Sequence, residues 1–172
     1  FSTDEKSKFA RNNLDIIDVL LCNITSWNQV ALDFMQQIKP LCDGIFVVEH
    51  HLRPRDLAKA KRNASQMGWR PFLSPALPSP GGGTHGGVGG VVSKGLCFRI
   101  CLACDSGLSD FGMGPNWYFL ELKTQSSVIA VGVIYLISDL GFSWENIERM
   151  RAVAEFLGTL ALPWMLMGDF NI

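Results

Sequence analysis

Apolar residues fall in short runs punctuated by polar residues, proline and glycine, and their spacing changes along the chain. Ile16–Cys22 is branched and apolar without alternation, the pattern of a strand covered on both faces, and it stops at Asn23. Over Trp27–Ile38 the period lengthens. Val30, Ala31, Phe34, Met35 and Ile38 recur at helical intervals, Ser26 is placed to cap, and Pro40 closes the element. Ile45–Val48 is a second buried strand, ending at Glu49. Pro54 suits a first helical turn, Arg55–Met67 continues it, and Gly68 stops it. Arg70–Leu73 adds a short strand. This β-α-β-α order predicts an α/β layer with parallel neighbouring strands.

Beyond Leu73 the pattern turns irregular and then β-rich. Ser74–Gly90 holds Pro75, Pro78, Pro80 and seven glycines, which predicts a surface loop with His85 in solvent. Gly90–Ser93, Gly95–Ala103, Trp117–Leu122 and Val128–Tyr135 are strand-like. Lys123–Ser127 is placed to join the last two as a hairpin. Asp105–Pro115 is a glycine-rich connection. Ser143 before Trp144-Glu145-Asn146 predicts a capping box and a helix to about Leu160, with Ile147, Met150, Val153, Ala154 and Leu157 as its apolar stripe. Trp164–Met167 is a closing strand.

Composition adds bounds. With 172 residues, 48% hydrophobic and 18% charged, the chain can bury a core and is not a disordered composition. It divides into a polar N-terminal tail, residues 1–15, and one domain over 16–172. Starting at Phe1 and stopping just after a strand, it is expected to continue as the same polypeptide beyond residue 172. The net charge of −1 advertises no global field, and no apolar run is long enough for a membrane span. Yet Arg53, Arg55, Lys59, Lys61, Arg62 and Arg70 cluster with only Asp56 to oppose them. The odd count of five cysteines predicts free thiols in a reducing, intracellular compartment, nuclear or cytoplasmic. Cys97, Cys101 and Cys104 have the spacing of an iron–sulfur loop, but the segment alternates as a strand, which favours plain thiols.

Three buried runs end in oxygen-bearing side chains: Asn23, Glu49, and Asp169 with Asn171. Ligands gather at the carboxyl ends of strands in open α/β sheets. Carboxylates and amides converging there suit a hard cation such as Mg²⁺. Any one of these residues alone fits a turn or cap better than a ligand; the three together carry more.

Together with their surroundings these residues resemble the endonuclease/exonuclease/phosphatase superfamily. Five segments occur in that family's order: Leu21–Trp27 with Asn23, Val48-Glu49-His50-His51-Leu52, Gly89-Gly90-Val91-Val92, Val133-Ile134-Tyr135, and Met167-Gly168-Asp169-Phe170-Asn171. The resemblance implies a two-sheet α/β sandwich with outer helices, of which this chain supplies only part of the second sheet. It implies Glu49 as ligand of Mg²⁺ (or Mn²⁺), with Asn23 as a second ligand or orienter. Asp169 would position or deprotonate the attacking water, Asn171 would hydrogen-bond the phosphate or that water, and Tyr135 would touch the phosphate. His51 would support the metal site. Nucleic acid is the implied partner, with Arg55, Lys59 and Arg62 on a basic helix face to meet it. The uneven charge is similar to that of endonuclease domains of non-LTR retrotransposons.

The departures matter too. Val48 stands where the family usually has Gln, and Leu136-Ile137 follow Tyr135 where a Pro is common. The family's late Asp and terminal Ser-Asp-His are absent: the histidines are His50, His51 and His85, all before Asp169. Little or no turnover is therefore expected of these 172 residues. A sandwich left unfinished is also expected to be poorly soluble or partly open. A lipid or inositol phosphatase of the same fold, and a non-catalytic nucleic-acid-binding relic of a transposon, remain open alternatives.

Overall fold

The computed structural model describes residues 16–79, 81–101, 116–138 and 141–171. The tail, the glycine-rich connection at 105–115 and Cys104 lie outside the described residues.

Two sheets stack face to face with helices on their outer sides. The first has strand order β1 (Val19–Asn23), β2 (Gly44–Val48), β6 (Val88–Ser93), β3 (Trp69–Leu73). The second has the order β10 (Trp164–Asp169), β9 (Val128–Tyr135), β8 (Trp117–Lys123), β7 (Cys97–Ile100). A two-residue ladder of β4 (Leu77–Pro78) and β5 (Thr84–His85) lies in the connection between β3 and β6. Helices α1 (Gln29–Ile38) and α2 (Pro54–Gln66) follow β1 and β2, and α3 (Trp144–Thr159) follows β9.

Alternation within each strand builds three apolar layers. Phe46 and Val48 face inward with Phe72, Val88 and Val92, meeting Leu120, Leu122, Val131, Val133 and Tyr135 of the other sheet. Ile45 and Val47 face outward onto Met35 of α1 and Ala60 and Ala64 of α2. On the far side Phe119, Ala130 and Ile134 meet Val153 and Phe156 of α3. Burial on both faces explains why β2 and β9 read as unbroken apolar runs. The α/β sandwich with outer helices implied by the sequence is therefore the observed architecture.

The parallel-neighbour expectation needs correcting in part. β1 and β2 are parallel, as are β9 and β10, but β6 enters between β2 and β3 and pairs antiparallel with both. Gly89 and Gly90 make that insertion possible. A Cβ at Gly90 would collide with the Ile45 carbonyl and sit 2.7 Å from the Phe72 ring, and one at Gly89 would collide with the Phe72 carbonyl. The β8–β9 hairpin forms as expected, closed by Thr124 and Ser127.

Three local expectations also change. Asn28, not Ser26, caps α1, its side chain accepting from the Ala31 N–H at 3.0 Å. Ser143 caps α3 by accepting from the Asn146 N–H, but Asn146 does not return the bond. Its side chain points inward instead. Nor is 74–90 wholly a surface loop, because Ala76 and residues 86–90 are buried. Exposure alternates along β7, with Cys97 and Arg99 exposed and Phe98 and Ile100 half-buried, but Cys101, due on the Cys97 face, is buried instead. Among the described residues no helix is long and apolar enough to cross a membrane.

Candidate active site

Each sheet contributes two side chains to one cluster. In the first sheet, Asn23 is the last residue of β1 and Glu49 follows β2 directly, so the parallel register sets them side by side. In the second, Tyr135 and Asp169 are register partners at the ends of β9 and β10. The Asn23 Nδ2 donates to Glu49 Oε2 at 2.8 Å and to Asp169 Oδ2 at 3.1 Å. The Tyr135 hydroxyl donates to Glu49 Oε1 at 2.7 Å. Residues 146 positions apart in sequence thus meet in one hydrogen-bonded group.

The backbone is shaped to present them. Asn23 Oδ1 accepts from the Thr25 N–H at 3.1 Å, a local turn that aims its amide hydrogens at the carboxylates. Glu49 and His51 both have left-handed backbone, at φ 57° and 55°. Non-glycine residues there cost on the order of 1–3 kcal/mol each and persist only where the surroundings hold them.

His50, between them, is what holds them. It is 1% exposed, its Nδ1 accepts from the Leu52 N–H at 3.1 Å, and its Nε2 faces the Val88 carbonyl at 3.3 Å. That pattern requires a neutral ring protonated at Nε2. Gly87, at φ 89°, leaves the space the ring occupies. Thr84 then grips His51 at both ends: its carbonyl lies 2.8 Å from Nδ1, and its hydroxyl donates to the His51 carbonyl at 3.1 Å. His51 therefore anchors the β4–β5 segment beside Glu49.

Burial is the main cause that pushes His50 down to about 4; the Val88 hydrogen bond opposes it. In the unfolded chain the same ring titrates near 6.5. Between those values the unfolded chain binds more protons, so stability falls as pH drops from about 6.5 towards about 4. The expected loss is on the order of 2–3 kcal/mol. Urea unfolding at pH 7 and pH 5 should show it, and His50→Gln, whose amide can keep both bonds without titrating, should flatten it. An unchanged slope in that variant would show that another group is responsible.

The other sequence candidates lie around this cluster. Asn171 donates to the Leu136 carbonyl at 3.1 Å, and the Leu136 N–H donates to the Asp169 carbonyl at 3.0 Å, which fixes the Asp169–Asn171 turn on the strand beside it. Arg55, Lys59 and Arg62 are exposed on α2, whose N-terminus follows Leu52 closely. His85 is not a free solvent residue. It is half-buried, pairs with Leu77 in the β4–β5 ladder, and is lowered from its ordinary value by burial, then by Arg149 and His51.

Sequence reasoning missed three members. Asn116 and Asn146 are each 1% exposed and Arg149 6% exposed, and all three pack behind Tyr135. The available signal was the helical spacing of α3, whose buried positions are Asn146, Arg149, Val153 and Phe156. Reading only apolar residues selected Ala154, which is exposed.

Among the described residues no three His, Cys, Asp or Glu side chains gather as a self-sufficient metal cage. The donor set is instead the two carboxylates of Glu49 and Asp169 at a half-open position, bridged by the Asn23 Nδ2, while the Asn23 Oδ1 accepts from the Thr25 N–H. That composition fits Mg²⁺ or Mn²⁺, which keep several waters and take one or two protein carboxylates. An open groove of about 840 Å³, lined by residues including Ile17, Lys39, Cys42 and Leu96, lies at the opposite ends of β1 and β2 and is separate from the cluster.

No protein-family model matches the sequence, and no curated protein matches it either. Solved structures do match its fold. The human Nocturnin catalytic domain with bound sulfate anion superposes with a TM-score of 0.58 at 14% identity, over 91% of this chain and 64% of that one. ANGEL2, a 2′,3′-cyclic phosphatase, gives 0.60 at 11% identity, over 90% and 52%. The endonuclease domain of TRAS1, a telomere-specific non-LTR retrotransposon, gives 0.55 at 15% identity, over 91% and 59%. At these identities the likeness is one of fold. The chain spans between about half and two thirds of the length of these three proteins.

Proposed function

We propose that this chain, which has the endonuclease/exonuclease/phosphatase fold, carries the metal-and-water half of a phosphodiesterase site that acts on nucleic acid. The observation that supports it most is the convergence of Glu49 and Asp169, one from each sheet, on the single amide of Asn23. Two carboxylates sharing one donor repel each other, and a divalent cation relieves that repulsion.

Glu49 would hold the cation with Asp169 beside it, and Asn23, whose Nδ2 donates to both carboxylates, would orient them. When bound, Mg²⁺ supplies charge neutralisation for the phosphate as negative charge builds on it. Asp169 takes the proton of the water whose oxygen attacks phosphorus, while the P–O ester bond on the opposite side breaks. Tyr135 holds Glu49 in place through its hydroxyl and would lie next to the phosphate. Asn171 fixes the turn that aims Asp169. The leaving oxygen needs a proton, and no histidine follows Asp169 to supply it.

The basic face of α2 favours nucleic acid over a small phosphate ester. Arg53, Arg55, Lys59, Lys61 and Arg62 are all exposed on or next to that helix. Each phosphate neutralised releases counterions, so binding weakens with salt. Changing Arg55, Lys59 and Arg62 together to Gln is expected to reduce the slope of log affinity against log salt by about 2–3. Fluorescence anisotropy with a labelled duplex measures it. An unchanged slope would remove this face from the interface and favour a soluble phosphate ester.

Activity is tested with supercoiled plasmid at high protein concentration. Slow nicking that requires Mg²⁺ and stops with a chelator is expected. Salt-sensitive DNA binding with no nicking at any metal concentration would instead make the chain a binding module.

A further inference from the structure

We infer that Arg149 is a positioning residue: its guanidinium clamps the segment Tyr135–Ile137 from two sides and so fixes the tyrosine that holds Glu49. This rests on the site assignment above and deepens it.

Arg149 lies on the inward face of α3, where the helical period calls for an apolar residue. It is 6% exposed, and among the described residues it forms no ion pair. A buried cation in that setting is costly unless hydrogen bonds replace its water. They do so through two neutral amides. Nη1 donates to Asn146 Oδ1 at 2.9 Å. With the Asn116 carboxamide turned so that its oxygen faces the guanidinium, Nε and Nη2 both donate to it at 3.2 Å. Three donors in one plane suit the fixed fork of arginine and not the single ammonium of lysine.

Each amide passes the clamp to the site. Asn146 Oδ1 also accepts from the Ile137 N–H at 2.9 Å, and its Nδ2 donates to the Ile137 carbonyl at 3.0 Å and the Gly141 carbonyl at 2.9 Å. Both donors and both acceptor directions of that side chain are used. On the other side the backbone carbonyl of Asn116, whose side chain the guanidinium holds, accepts from the Tyr135 N–H at 2.7 Å. Between the two, Leu136 binds Asp169 and Asn171 through its backbone. Three consecutive residues thus connect the guanidinium to both carboxylates. Gly86 closes the packing from the β5 side: a Cβ there would lie 2.9 Å from the Asn116 carboxamide and 3.0 Å from the Tyr135 ring. Burial lowers the Arg149 pKa from its ordinary value, while Glu145 and Tyr135 raise it.

The chain has two tyrosines, Tyr118 and Tyr135. In a Tyr118→Phe background, fluorotyrosine incorporation therefore leaves one ¹⁹F reporter, at position 135. With Arg149 present a single line is expected. Arg149→Lys, which keeps charge and stem, should keep cooperative melting and circular dichroism but split or broaden that line. Its Mg²⁺-dependent kcat should fall about 10- to 100-fold with KM within about 2-fold, the signature of misplacement rather than lost binding. Arg149→Met should behave likewise if it folds; if it does not, the lysine variant decides alone. A parent-like line together with parent-like kcat in Arg149→Lys overturns the inference. If the parent chain does not cut at all, the fluorine line still judges the clamp, and only the proposed reaction fails.

Discussion

Glu49→Gln is expected to lower Mg²⁺-dependent nicking at least about 100-fold while leaving thermal stability within about 1 kcal/mol of the parent. Glutamine keeps the length of the side chain, and its oxygen can still accept from the Tyr135 hydroxyl, now 2.7 Å from Glu49 Oε1. Its amide nitrogen would face the Asn23 Nδ2, donor against donor, so the 2.8 Å bond is lost. Against that loss stands the removal of one of two like charges that share the Asn23 amide. Stability is therefore close to balanced, while cation binding loses a negative ligand outright. Plasmid nicking and a thermal melt of the same preparations measure both. Equal nicking by parent and variant would remove Glu49 from the site.

Phe72→Ala is expected to cost about 3–5 kcal/mol, the range for emptying an aromatic core position. That is a large fraction of the stability of an ordinary domain. Phe72 is 2% exposed at the centre of the layer between the sheets. Its ring meets Phe46 at 5.2 Å within its own sheet, and Tyr118 at 5.4 Å and Phe98 at 6.2 Å in the other. The functional cluster takes two residues from each sheet, so whatever sets the sheet-to-sheet distance sets the cluster. Cation affinity should fall along with the urea midpoint, although Phe72 carries no polar group into the cluster. Phe72→Leu should cost much less, since it keeps most of the volume. A loss near 1 kcal/mol for the alanine variant would mean that the layers are held elsewhere.

Much of this was legible in the chain, because strands covered on both faces write themselves as continuous apolar runs. Val128–Tyr135 was bounded without error, and Asn23, Glu49, Tyr135 and Asp169 were all placed at strand ends. What the sequence did not carry was long-range pairing. Nothing local tells β6 to insert between β2 and β3; Gly89 and Gly90 only permit it. The buried polar layer escaped for a different reason. Asn146 and Arg149 sit at core positions of α3, where an apolar-periodicity argument discards them as solvent-facing. Their hydrogen bonds run to residues 116 and 137, which adjoin them only after folding. His85 was missed in the same way: a glycine-rich flank suggests solvent, yet the ladder to Leu77 and the grip of Thr84 on His51 hold it beside the site.

Glu49 and Asp169, oriented by the Asn23 amide, would hold one divalent cation between them. Mn²⁺ titration followed by electron paramagnetic resonance tests this without any need for turnover. One Mn²⁺ per folded chain is predicted, displaced by excess Mg²⁺ and lost in Glu49→Gln. No binding by the parent, or binding that Glu49→Gln leaves unchanged, would contradict the account.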